Sequence, residues 1–150
     1  MREILFRGKA KAGYKWITEG EWIEGSLFYS NDENGTVYQI ATSYLSASKD
    51  ESVMVVAYEV DPETVCQYTG LTDKNSRKIF EGDIVQDYPF KAIVKFGEFE
   101  NQVLKNIGFN LDWTDGLYYR QDLPFWAGKI EVIGNIFDSP EPIENKYLID

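Results

Sequence analysis

The chain has 150 residues, 43% apolar and 27% charged, with nine Phe, ten Tyr, four Trp, one Cys, no His and a net charge of −10. These are globular proportions at the length of one ordinary domain or two small ones, so wholesale disorder is excluded. Without histidine there is no imidazole-activated Ser or Cys nucleophile, no His-ligated zinc and no histidine general base, and one cysteine makes neither an intrachain disulfide nor a thiolate zinc cluster.

In chain order, short extended elements dominate. REILFRGK opens on an apolar cluster, and in AGYKWITEGEWIEGSLFYS the residues Tyr14, Trp16 and Thr18 alternate before a turn at Glu19 and Gly20. With Trp22 to Tyr29 following, this predicts a hairpin. NDENG, Asn31 to Gly35, supplies loop chemistry and TVYQIA a further strand. Thr42 to Ser52 is polar and Ser-rich, a loop or one weak helical turn, whereas VMVVAYEV is rich in β-branched residues and reads as a strand. In DPETVCQYTG, Asp61 suits a cap, Pro62 the first helical position and Gly70 the end of the turn. That predicts at most two helical turns, with Cys66 inside them as a structural thiol, at the seam between two halves.

Beyond the seam, Asp73 to Arg77 (DKNSR) forms a turn, since Asp and Asn tolerate left-handed backbone, and Gly82 permits a second change of direction. KIFEGDIVQDY, KAIVKF and IGFNLDW read as strands. In the last of these Ile107, Phe109, Leu111 and Trp113 alternate with Gly108, Asn110 and Asp112. LYYRQDLPFW begins as a strand and meets Pro124, which predicts an edge or a turn, and KIEVIGNIF closes the set. Five short strands over about seventy residues is the pattern of a small, partly open barrel. DSPEPIENKYLID is a loosely docked tail.

Charge is unevenly placed: residues 1–20 sum to +3, 21–65 to −8, 66–100 to −1 and 101–150 to −4. An acidic chain repels a phosphate backbone at long range, and the basic N-terminal segment reads first as a strand edge guarded by lysines. Glu81 and Asp83 flank Gly82, with Asp73 nearby in sequence; such carboxylates can gather around Mg²⁺ or act as acid and base. Turns ahead of strands favour the same residues, and that is the preferred reading. NDENG and DWTDG both miss the calcium-loop frame, and no Gly-rich loop opens a helix. The sequence therefore predicts no enzyme, with no catalytic residue, cofactor or metal site. Tyr118, Tyr119, Phe125 and Trp126, around RQDLP, form the candidate interaction surface, able to stack on bases, take a Pro-rich peptide or seal a subunit contact. The competing and preferred reading is that they cap the open end of the barrel.

YEVDPETVCQYTGLTDKNSRKIFEGDIV, followed after a spacer by KIEVIGNIFDSPE, resembles the YopX family, encoded mainly by bacteriophages and prophages of low-GC Gram-positive bacteria. ILFRGKAKAGYKWITEG and WIEGSL fit the same family, and the resemblance runs from Arg2 to about Glu141. It implies a mainly β protein: an N-terminal β subdomain over 1–65, a small SH3-like, partly open barrel over 66–140, and a tail over 141–150. It implies no established biochemical activity. The family usually has Gly where this chain has Ser76, a departure that costs on the order of 1 kcal/mol if the backbone there is left-handed.

No apolar run follows the basic N-terminal residues as a signal peptide requires, and no segment approaches the ~20 apolar residues that span a bilayer. The expectation is a phage or prophage accessory protein in the bacterial host cytoplasm, without a membrane partner, homo-oligomeric and acting through contacts with host or phage proteins. The alternative is a nucleic-acid-associated module, either a barrel that binds directly or an acidic DNA mimic that inhibits a host DNA-binding protein.

Overall fold

The computed structural model describes residues 2–14, 16–45, 53–101, 104–114 and 120–139. It is mostly strand, every ladder is antiparallel, and the chain divides into two compact units, Met1–Gln67 and Tyr68–Asp150.

The first unit is a sheet of β1 (Phe6–Lys9), β2 (Trp22–Asp32), β3 (Gly35–Leu45) and β4 (Val53–Glu59), in the order β4-β3-β2-β1. Asn31 to Gly35 is not a separate loop. The Asn34 N–H donates to Asp32 Oδ1 at 2.7 Å, Gly35 takes φ 127°, and Asp32 pairs with Gly35, so only two residues turn the chain. β3 also runs through Thr42 to Leu45, where the polar composition predicted a loop. Thr42 and Ser43 pair with Val56 and Val55 of β4, and cross-strand pairing overrides weak local propensity. The predicted hairpin between Tyr14–Thr18 and Trp22–Tyr29 is corrected in the same way: the strand that pairs with β2 is β1, with Lys9 opposite Trp22. Tyr14 and Ile17 only close a tight turn on each other, at 2.8 and 2.9 Å.

At one end this sheet curls until its first and last strands meet. Ala10 bridges Val60, the Lys11 N–H donates to Glu59 O at 3.0 Å, and the Asp61 N–H donates to Lys9 O at 2.9 Å. Inside lie Ala10, Ile23, Ile40, Tyr58 and Val60, with Phe6, Leu27 and Val56 packed against them.

Asp61 caps a single 3-10 turn, Pro62–Thr64, accepting the Glu63 N–H at 3.1 Å. One turn is within the two expected at most. Cys66 instead opens β5 (Cys66–Thr72), where it pairs with Arg7 and is buried, its thiol donating to Thr64 O. Gly70 lies within this strand at φ 84°, where the register between β5 and β6 (Lys78–Phe80) shifts. Glycine here serves a bulge, not a helix end.

The second unit holds β7 (Asp83–Asp87), β8 (Phe90–Asn101), β9 (Leu104–Trp113) and β10 (Glu131–Asn135), in the order β10-β7-β8-β9. Among the described residues this sheet stays open, which fits a partly open barrel. KIFEGDIV is two strands, broken where Gly82 takes φ 85°. Leu123–Trp126 forms a one-turn helix, α1, followed by a 3-10 turn at Ala127–Lys129, where an edge strand or turn was expected. Pro124 has no N–H to satisfy and suits the first helical turn. The helix sends Leu123 into a core of Ile79, Val85, Val94, Leu111 and Ile130. The predicted two-faced pattern of β9 holds for its inner end only: Leu111 and Trp113 are buried, while Ile107 is 73% exposed and Asn110 is buried. β8 and β9 pair beyond the reach of the core, so their apolar stripe continues into solvent. No helix among the described residues is long and apolar enough to cross a membrane. The segment 140–150, which contains the expected tail, lies outside the described residues.

Candidate functional site

Of the four candidate surface residues, Tyr118 and Tyr119 lie outside the described residues. Phe125 and Trp126 sit together on α1, their rings perpendicular at 5.2 Å, but they do different things. Trp126 packs edge-on to Trp113 at 5.1 Å and rests against the second core. Both indole N–H groups donate to the Arg120 carbonyl, just ahead of residues that lie beside β9, where Asn110 bridges Asp122 and the Leu111 N–H donates to Gln121 O at 2.8 Å. Trp126 thus belongs to the packing of the second unit.

Phe125 points outward and is exposed. The Arg120 guanidinium lies 4.2 Å and the Lys129 ammonium 3.8 Å from its ring centre, both within cation–π range. Arg120 is also held by Asp122 Oδ1 at 2.6 Å, and Lys129 donates to Phe125 O at 2.9 Å. Two cations on one ring make a small basic, aromatic spot on an acidic chain.

Of the three carboxylates considered for Mg²⁺ or acid–base chemistry, Asp73 and Asp83 accept backbone N–H groups. Asp73 is buried and accepts three backbone N–H groups: Asn75 at 2.8 Å, Arg77 at 2.9 Å and Val132 at 2.9 Å. Burial raises its pKa, but the hydrogen bonds from Val132, Arg77 and Asn75 and the Arg77 charge outweigh it, so the carboxyl titrates below its ordinary value. Asp83, fully buried, accepts the Phe80 N–H at 2.8 Å across the Glu81-Gly82 turn. Glu81 itself is half-buried, and desolvation holds its carboxyl above the usual value. Among the described residues no three His, Cys, Asp or Glu side chains are grouped to hold a metal ion.

DKNSR is thus a clamp. Asp73 binds its own turn and reaches β10, and the Lys74 N–H donates to Ile130 O at 3.0 Å. A second clamp, unnoticed in the sequence, is Asn135, whose Oδ1 accepts the Phe137 and Asp138 N–H groups at 3.0 and 2.9 Å. The signal was present in GNIFDS, since Asn before a turn commonly caps the backbone two residues on. In the first unit the basic segment is also engaged: Arg7 and Lys9 stand 4.7 and 5.3 Å from the ring centre of Trp22.

These features define an antiparallel β protein of two units in which the motif residues are structural clamps, leaving exposed apolar strands and the cation–aromatic group at Phe125 as outward chemistry. The model of the YopX protein family matches residues 6–144, and the chain belongs to that family. A solved structure, protein EF1440 from Enterococcus faecalis, is similar over 94% of this chain and 98% of its own, at 21% identity and a TM-score of 0.43. No curated protein matches the chain.

Proposed function

We propose that the protein is a non-enzymatic accessory protein of a phage or prophage, working in the host cytoplasm through protein contacts as a homo-oligomer, with an SH3-like barrel as its second unit. The observation that carries this reading is the contrast between its polar and apolar residues. Asp73 and Asp83 are tied to backbone N–H groups, while Phe96 at 57% and Val55 at 67% stand open to solvent on strands. Apolar strand surface of this kind marks a contact site in a soluble chain. Light scattering across a concentration series tests the oligomer; a monomer at every concentration defeats it. Turnover of a substrate by the purified protein, abolished by Asp83→Asn in a variant that remains folded, defeats the non-enzymatic half.

The second reading is association with nucleic acid or its machinery. Phe125 with Arg120 and Lys129 supports direct binding, since single strands are held by rings and cations together. The −8 carried by residues 21–65 supports mimicry of a phosphate backbone toward a basic host protein. Fluorescence anisotropy with labelled single-stranded DNA separates the two: binding that Phe125→Ala weakens supports the direct form. No binding, with capture of a basic host protein that is lost at high salt, supports mimicry.

A further inference from the structure

We propose that the N-terminal part of β4, Val53 to Ala57, is the contact at which a second copy of this chain adds to the sheet of the first unit. This rests on the homo-oligomer reading and names its surface. β4 is an edge strand whose two ends differ. The Val60 N–H donates to Tyr38 O at 3.0 Å, toward β3, while the Glu59 carbonyl turns the other way and accepts the Lys11 N–H. Backbone groups alternate in direction along an antiparallel strand, so Val53, Val55 and Ala57, like Glu59, present N–H and C=O to the open side. Among the described residues none of those three has a backbone partner there.

The side chains agree. Val56 and Tyr58 face the first core, yet the opposite face of β4 carries Val53, Val55 and Ala57, all exposed, with Val53 at 60%. A strand with one solvated face alternates apolar with polar, whereas a strand covered on both faces reads as a continuous apolar run. β4 has the second pattern in the first environment.

The occupant must be an extended strand with an open edge, apolar on both faces, and another β4 is one. A two-fold axis through Val55, the middle of the three outward residues, sets Val55 opposite itself and Val53 opposite Ala57, all on one face, with Met54 opposite Val56 on the other. It forms roughly six backbone hydrogen bonds. Charge favours the same place. No charged side chain lies between Val53 and Tyr58, although residues 21–65 sum to −8, so two acidic units meet with least repulsion along this strand. The ladder is only about 17 Å long, short of the roughly 1,200 Å² of a standard interface, so the pair forms reversibly.

Sedimentation and light scattering of the purified full chain over a concentration series test this. Wild type is expected to pass from monomer to dimer. Val55→Pro removes an N–H that points away from β3 and leaves the internal ladder intact. Val55→Lys places a charge on an exposed side chain at the axis. Each is expected to weaken dimerisation by roughly tenfold or more, with circular dichroism unchanged; if the proline variant misfolds, the lysine variant decides. Under mild oxidation Val55→Cys forms a covalent dimer, because its Cα atoms lie about 5.5 Å apart across the axis. Val53→Cys does not, at about 14 Å. An oligomer whose mass survives both Val55 variants, or equal crosslinking at Val53, overturns this contact and leaves the homo-oligomer reading standing. A wild-type monomer throughout overturns both.

Discussion

Ser76 sits at φ 65°, in the left-handed region that glycine adopts without strain. A Cβ in this conformation is strained, and nothing about the DKNSR turn relieves the residue of it: the Ser76 N–H donates to Asp73 O at 3.0 Å and holds the backbone in place. Ser76→Gly is therefore expected to raise unfolding stability by about 0.5–1 kcal/mol, less the extra entropy of glycine in the unfolded chain. Urea denaturation measures it. Asp73→Ala acts in the opposite direction. It leaves three N–H groups without their acceptor, one of them on β10, and is expected to cost about 3 kcal/mol. Asp73 and Glu81 also differ in pH response. Asp73 is lowered in the fold, so its contribution is complete above its unfolded value near 3.8 and is lost as pH falls through the lower folded value. Glu81 is raised, so it favours the fold only in acid, and that advantage disappears as pH climbs from its unfolded value near 4.5 through the folded one. Glu81→Gln should then match or exceed wild-type stability at pH 7, and lose that edge below pH 4, in parallel denaturation curves.

Along the strands, what the sequence disclosed depended on whether neighbours in the chain were neighbours in space. The Glu33-Asn34 turn, the run from Val53 and the Asp61-Pro62 cap are local, and their residues announced them. Thr42 to Leu45 became strand only because β4 lies beside it, and β1 displaced Tyr14–Thr18 as the partner of β2 through pairs as distant in the chain as Phe6 and Gly25. Asp73 was legible as a turn residue, but its bond to Val132, 59 residues later, was not. VMVVAY reads as a strand by its β-branched residues, and its missing alternation matches the apolar face it leaves exposed. Gly25 on β2 shows another constraint of this scale. A Cβ there would run into the Ala41 carbonyl on β3 and crowd Ile40, so the two strands approach closely only because the residue has none. Gly25→Ala must part β2 from β3, and a loss of about 2 kcal/mol is expected in thermal or urea unfolding. On the β8–β9 arm the order of effects should follow burial. Leu111→Ala, in the core, is expected to cost about 3 kcal/mol, and Phe109→Ala, paired with exposed Phe96 at 5.1 Å, clearly less.

For the molecule as a whole the governing quantity is its charge of −10, and the two functional readings respond to it with opposite sign. Two copies repel at long range, and the neutral strand at which they are proposed to meet gains nothing from salt bridges that salt would weaken. Screening shortens the Debye length from roughly 30 Å at 0.01 M to about 8 Å at 0.15 M, so added salt removes repulsion and leaves hydrogen bonds and apolar burial intact. Self-association is accordingly expected to strengthen several-fold over that range. Binding to nucleic acid through Arg120 and Lys129 releases counterions from the phosphates and weakens as salt rises, and an acidic surface lodged in a basic host groove weakens likewise. A sedimentation series at fixed protein concentration and increasing sodium chloride reads the sign directly. Dimer that grows with salt supports contact between copies along an uncharged edge. Dimer that dissolves with salt would mean that opposite charges hold the copies together, which places the contact away from Val53–Ala57, the stretch of β4 without a charge.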